Sequence, residues 1–365
     1  MNQRLCKNNH MISPEYIILL IVVMVAVFRQ SKFWVRASIF LMLLLAVCRD
    51  KTVGTDFLGY YDDFCLIHDI SNSSKLIYHN FEVGFIALIY WYKKITDNYL
   101  LFGSLIFLPF FFGCLNFMKV SKINIAYGLF IFYTYGFYFS GYNIMRQMMC
   151  IGFVLLFIGW LYQHKYWHFA VAVFILSLLF HKSSVIMLAL IPIHYYVQKI
   201  PKINKKFLYI AVVVSFALYY LGANYFVGIF SAIVGFVGLD YGGGYLRTDG
   251  EGGNMVSLMY TLLALITIYC KNPTTAKFPT YTFVASIVLF NLLNIMPTFA
   301  SRAFWGLFVF CIVLIPDMLA DKGTLHKRLF AATVFAFGLG YFFYAYYFNN
   351  FGEINPYVWS NLILL

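Results

Sequence analysis

The chain has 365 residues, of which 62% are hydrophobic and only 11% charged, and its mean hydropathy is +0.78. A soluble domain carries roughly a quarter charged residues, so this composition excludes a water-facing globule of the same size. The formal net charge of +12 is then read as the basic loops of a membrane protein and not as a nucleic-acid footprint.

Apolar runs of roughly 16 to 21 residues recur along the chain, long enough to cross a hydrocarbon core of about 30 Å as helices, some with help from polar flanks. Runs such as Ile17–Phe28 do not alternate apolar and polar residues, which excludes a transmembrane β-barrel. In chain order the predicted spans are 15–28, 33–48, 98–118, 123–140, 147–162, 166–181, 183–197, 207–222, 255–270, 278–296, 303–320 and 329–348. The expected fold class is an all-α polytopic membrane protein of about 12 transmembrane helices, a single integral membrane domain over 1–365. Arg29, Lys32 and Arg36 follow the first run at once, as in a stop-transfer segment and unlike a cleaved signal. Phe81–Tyr92 is too short to span and suits an interfacial or re-entrant helix within an outward loop, 49–97. Tyr225–Leu239 is longer but broken by glycines, and its status stays open.

The charges orient these spans. With the N-terminus outside, the inside loops collect 15 of the 26 basic residues, among them Lys119, Lys122, Lys165, Lys199, Lys202, Lys205, Lys206, Lys271 and Lys277, against only two acids, Asp317 and Asp321. That asymmetry is what the positive-inside rule requires. No inside loop exceeds about a dozen residues, and the chain contains no GxxxxGK[ST], no strand-linked GxGxxG and no HExxH. Whatever drives its reaction comes with the substrate or from an ion gradient, and no cofactor is expected. Seven cysteines lie scattered at 6, 48, 65, 114, 150, 270 and 311, without CxxC spacing, so neither a metal site nor a disulfide framework is expected.

Polar chemistry gathers on the outward face. One region is Arg49–Asn98, with Asp56, Tyr60, Asp62, Asp63 and Glu82; another is a glycine-rich loop over 240–254 with Arg247, Asp249 and Glu251. The third is a set of residues at helix ends: Arg146, His181 with Lys182, and Arg302. An arginine at membrane depth either snorkels to the interface or is held as a cationic clamp for phosphate or diphosphate, which guanidinium binds bidentately. Several outward arginines with His181 at similar depth favour the clamp. His181 lies at a tight turn, where its ring either caps carbonyls or binds phosphate or relays a proton. Asp56 and Glu82 are candidates for a general base or for sugar-hydroxyl ligands, with helix capping the plainer role for Asp56. Asp62 and Asp63 resemble a metal-binding pair, but two adjacent acids without a third ligand are expected on a solvated helix face. Aromatics make up 21% of the chain, mostly membrane filling and interfacial belt.

The outward features resemble, in order and spacing, the EpsG family of Wzy-like polysaccharide polymerases. The pieces are Gly54-Thr55-Asp56 with Tyr60, Glu82-Val83-Gly84-Phe85, Ile144-Met145-Arg146-Gln147 and Phe180-His181-Lys182-Ser183-Ser184, followed by Ser301-Arg302 and Asn355-Pro356-Tyr357. The resemblance runs from about Arg49 onward and departs in the loop 240–254 and in the aromatic excess. It implies a multi-pass enzyme of the bacterial inner membrane that joins undecaprenyl-diphosphate-linked repeat units on the periplasmic or exterior face, for O-antigen, capsule or exopolysaccharide. It also implies a GT-C-like bundle with an outward-facing cavity. Asp56, Glu82 and His181 would then be catalytic, and Arg146, Arg302, Arg49, Arg247, Gln147 and Lys182 would bind substrate. The implied partners are the lipid-linked donor and acceptor, membrane lipid, and chain-length-regulator and flippase proteins, with no nucleic acid. The rival readings are a flippase for lipid-linked oligosaccharides, and an O-antigen ligase or membrane acyltransferase. A flippase needs polar residues along a path to both faces, whereas the unusual charges here cluster on one.

Overall fold

The computed structural model describes residues 12–70, 81–236, 254–272, 274–294, 297–320 and 325–360, without side-chain detail for 222–236 and a few helix-end residues. The described residues are helical and hold no β-strand, only one isolated bridge between Arg49 and Trp359. In chain order the helices are α1 (Pro14–Arg29), α2 (Lys32–Val47), α3 (Thr55–Leu66), α4 (Val83–Lys93), α5 (Tyr99–Val120), α6 (Ile125–Thr134), α7 (Phe137–Asn143), α8 (Met145–Leu156) and α9 (Ile158–Tyr162). They continue with α10 (Tyr166–Leu179), a 3-10 segment (Lys182–Ala189), α11 (Leu190–Lys199), α12 (Lys205–Phe236), α13 (Asn254–Cys270) and α14 (Lys277–Leu293). The last are α15 (Pro297–Phe308), α16 (Cys311–Ala320) and α17 (Leu325–Phe342), which passes into a π-helical turn, Phe343–Phe348.

Local sequence sets several boundaries. Pro14 opens α1 and Arg29 closes it, at the ends where a missing N–H and a cation are each tolerated. Ser31 and Asn124 accept the Phe33 and Ala126 backbone N–H groups and so cap α2 and α6. Each predicted span coincides with a helical segment, but several are interrupted. The span expected over 123–140 divides into α6 and α7 because Gly136 adopts φ +87°, a left-handed conformation that ends a helix. The span expected over 183–197 begins as a 3-10 segment, and α12 runs on to Phe236, into the stretch left open. Among the described residues, Tyr99–Val120, Arg302–Leu319 and Arg328–Phe348 are long and apolar enough to cross a membrane.

The chain forms two compact units. Unit 1 comprises residues 1–116, 124–153 and 335–365, and unit 2 comprises 117–123 and 154–334. One end of unit 1 is closed by the C-terminal strap. Asn355 Oδ1 accepts from Ser13 N and Oγ at 2.9 and 2.7 Å, and Tyr357 OH donates to Leu45 O at 2.9 Å. Asp50 N donates to Val358 O at 2.8 Å, and Ser360 N to Cys48 O at 2.7 Å. At the other end the side chains of Gln30 and Asn124 are hydrogen-bonded, joining the α1–α2 and α5–α6 turns. The outward and inward loops assigned from charge thus lie at opposite ends of unit 1.

In unit 2, α14 is the central element, packed against α11, α12, α13, α15 and α16. Asn291 on α14 donates to Ser215 Oγ at 3.2 Å and Thr261 Oγ1 at 3.0 Å, and Asn294 donates to Ser257 Oγ at 2.9 Å. Such interhelical bonds hold helices together where apolar burial supplies little driving force. Lys277 Nζ donates to Ile200 O at 2.7 Å and Asn204 N to Tyr281 OH at 3.2 Å, so the end of α11 meets the start of α14. Lys205 Nζ donates to Tyr269 O at 2.8 Å, bringing the start of α12 to the end of α13. The lysine-bearing connections therefore share one end of this unit as well.

Candidate active site

The charged chemistry of unit 1 converges where α3, α4 and α8 begin. Glu82 is the N-cap residue of α4 but makes no side-chain cap bond. Its carboxylate instead pairs with Arg146 Nη1, and the two side chains are only 10% and 8% exposed. Arg146 Nε also donates to Tyr60 OH at 3.2 Å. The guanidinium carbon lies 4.7 Å from the Phe81 ring centre, 5.6 Å from Phe85 and 5.8 Å from Tyr60. Tyr60 and Phe81 stack at 5.4 Å, and Phe85 meets Phe81 edge-on at 5.0 Å. The three rings form a cage that excludes water and attracts the cation through their faces. Snorkelling is thereby set aside for Arg146, whose head is buried in protein and not directed to an interface.

Arg49 is 2% exposed and held differently. Its guanidinium lies between the Phe57 and Tyr142 rings, 4.0 and 4.1 Å from their centres, and donates to Tyr142 O at 3.2 Å. Burial lowers its pKa from the usual arginine value. No carboxylate lies within ion-pair distance of it among the described residues. The planar stack and the carbonyl bond fasten the α2–α3 connection to the end of α7.

Asp56, Tyr60 and Asp63 occupy one face of α3, at i, i+4 and i+7. Asp56 is half-buried in the first turn, not at the cap, because α3 starts at Thr55 with Gly54 as its N-cap. A carboxylate there is favoured by the positive helix end. Asp63 is fully buried, which corrects the expected solvated face; Asp62 is half-buried. The spacing from Tyr60 was the available signal. Gln147, next to Arg146 on α8, is also buried, 1% exposed.

The other predicted residues belong to unit 2. His181 is buried and extended, with φ −164°, between α10 and the 3-10 segment; Lys182 is exposed and Arg302 half-buried on α15. Because α11 ends where α14 starts and α15 returns along α14, α15 runs parallel to the 3-10 segment. A Cβ on Gly306 would meet Ile186 at 3.1 Å and Met187 at 3.2 Å. Arg302, one turn earlier, is therefore roughly level with Lys182–Ser184, since about 6 Å of α-helix and 8 Å of 3-10 helix precede the contact. His181, Lys182 and Arg302 thus share the end of unit 2 opposite the lysine connections. The hydroxyls of Ser183 and Ser184 beside them are buried and have no hydrogen-bond partner among the described residues. Arg247 and the loop 240–253 lie outside the described residues. Among the described residues no group of three or more His, Cys, Asp or Glu side chains is placed to hold a metal.

Apolar helices enclosing buried charges at helix ends define a helical membrane protein with a protected polar site. The chain belongs to the EpsG family, whose model matches residues 32–359. Membership points to a polysaccharide-polymerase-like, glycosyltransferase role in exopolysaccharide biosynthesis. No curated protein and no solved structure matches it.

Proposed function

We propose that this chain is a polysaccharide polymerase that joins undecaprenyl-diphosphate-linked oligosaccharide repeat units at the outward face of the bacterial inner membrane. The observation that carries the reading is the caged Arg146–Glu82 pair, found in a member of this family. A lipid diphosphate brings two phosphoryl groups that compete with one carboxylate for the guanidinium. When the diphosphate takes Arg146, Glu82 is released beside it as a base.

An acceptor hydroxyl then attacks the anomeric carbon of the donor glycan. The new C–O bond forms as the bond to the diphosphate breaks, the hydroxyl proton passes to the Glu82 or Asp56 carboxylate, and undecaprenyl diphosphate leaves. Arg146 stabilises charge growing on the leaving oxygen, a contribution of about 3–4 kcal/mol for one well-placed donor. Lys182 and Arg302, with His181 at the same end of unit 2, are assigned to the lipid-linked diphosphates, and Gln147 to a sugar hydroxyl. Arg49 positions the α2–α3 connection from which α3 carries Asp56 and Tyr60. A GT-C-like bundle with lateral entry from the bilayer accommodates this chemistry without a nucleotide site.

The test is polymerisation by the purified chain in liposomes given a lipid-linked repeat unit. A ladder of lengthening glycans, unchanged by chelator, is expected. Transbilayer movement of the unit without lengthening would make the protein a flippase, and transfer of preformed glycan to another lipid would make it a ligase.

A further inference from the structure

The lysine end of unit 2 contains an open pocket of about 510 Å³, lined by Ser121, Tyr162, Gln198, Lys277, Val313 and Asp317 among others. That volume lies in the ordinary range of small-ligand sites, about 300–1,000 Å³. Its walls are of two kinds. Val120, Ile123, Val197 and Val313 are apolar, while two hydroxyls, an amide and an ammonium supply donors.

The charges within it are unequal. Asp317 is already engaged by Lys271, 2.8 Å away, whose side chain is 2% exposed. Lys277 spends one donor on Ile200 O at 2.7 Å and retains two. Exposed lysines 119, 122, 165, 199, 202 and 206 stand on the helix ends and connections at this end. The pocket also sits where α5, α9 and α11 finish and α14 starts, and the ends of membrane helices are where headgroups are met.

We propose that this cavity binds the phosphate of an anionic phospholipid headgroup, with Lys277 as the principal cation and the valine-lined wall receiving the first acyl carbons. The chemistry shared with inorganic phosphate is the anion; the apolar wall favours the lipid. Basic pockets among transmembrane helices on the cytoplasmic side recognise such headgroups. The inference is independent of the polymerase reading, since it uses neither Arg146 nor His181 nor any sugar chemistry.

The experiment uses the full chain in phosphatidylcholine nanodiscs doped with phosphatidylglycerol, reading retained phospholipid by native mass spectrometry. Wild type is expected to retain phosphatidylglycerol in preference to phosphatidylcholine. Lys277→Ala should weaken retention about fivefold, the worth of one lysine near an anionic surface, whereas Lys277→Arg should keep it. Ser121→Trp, which fills the cavity and removes no charge, should also abolish retention. Lys206→Ala, at the same end but outside the cavity, should leave it unchanged. Retention by both Lys277→Ala and Ser121→Trp at the wild-type level would overturn the proposal. So would an effect of Lys206→Ala equal to that of Lys277→Ala, which is what general surface charge would produce. Retention of phosphatidylglycerol no greater than that of phosphatidylcholine, with inorganic phosphate still bound, would overturn the lipid as occupant.

Discussion

Arg146 and Glu82 stand 64 residues apart in the chain and meet as an ion pair with 8% and 10% of their side chains exposed. Removed together from water, each depends on the other to offset its lost hydration, so deleting one leaves a buried charge unmatched. The pair therefore carries structural and chemical roles that single substitutions mix together.

Arg146→Ala and Glu82→Ala should each destabilise the chain by about 3–5 kcal/mol, the usual cost of stranding one half of a buried pair. The double replacement Arg146→Met with Glu82→Leu should recover the thermal midpoint, because apolar groups of similar volume fill such sites at little cost. It should make no polymer. Recovery of both stability and polymer in the double variant would remove the pair from the reaction.

Glu82→Gln keeps the shape of the site and a hydrogen-bond acceptor for Arg146 while removing the base. Polymerisation in liposomes should fall about 10²–10⁴-fold, the range supplied by a positioned general base. Arg146→Lys should rescue poorly, because a point charge cannot make both the Glu82 and Tyr60 contacts of the planar fork. Wild-type rates in Glu82→Gln would transfer the base role to Asp56.

Arg49 is expected to act through the fold. Arg49→Lys keeps the charge but loses the stack between Phe57 and Tyr142. A cost of about 1–2 kcal/mol is expected for replacing a guanidinium stacked flat between two rings by an ammonium that cannot stack, read as a lower thermal midpoint. Polymer should fall only as the folded fraction falls, and a catalytic loss at full stability would make Arg49 a substrate ligand.

Helices α5 and α8 approach through glycine. A Cβ on Gly113 would lie 2.3 Å from Gly152 O, and one on Gly152 2.3 Å from Pro109 O. These contacts are with backbone, so Gly113→Ala or Gly152→Ala should cost at least about 1–3 kcal/mol through overpacking. Gly159→Ala meets nothing within 4 Å and should stabilise α9 by about 0.5–1 kcal/mol. Equal thermal midpoints for the three variants would refute the close approach.

Orientation is open to a labelling test. Cys65 is exposed on α3, and an impermeant thiol reagent should reach it from outside intact cells, with Cys65→Ser as the blank. Lys202→Cys, in a chain whose native cysteines are replaced by serine, should label only after permeabilisation. The reverse pattern would invert the assigned topology.

Composition and apolar run length were enough to specify a helical membrane protein, because a segment that must satisfy its backbone groups in hydrocarbon has helix as its local solution. Lysine placement likewise sorted the loops into two sets, and contacts within each unit place those sets at opposite ends. The motif pieces carried the family, since their order along the chain is itself a linear property. Interruptions were harder to read: Gly136 differs from the glycines inside continuous helices only in its backbone conformation, which neighbouring packing selects.

Pairing was decided in three dimensions. Taken from sequence, Arg146 and Glu82 have separate tasks, and nothing in their local sequence says that the start of α4 lies against the start of α8. A carboxylate beside another is usually in water, yet the i+3 step from Tyr60 turns Asp63 inward once α3 has a neighbour. Burial and ion pairing depend on which surfaces meet, and residues distant along the chain meet only when the helices pack.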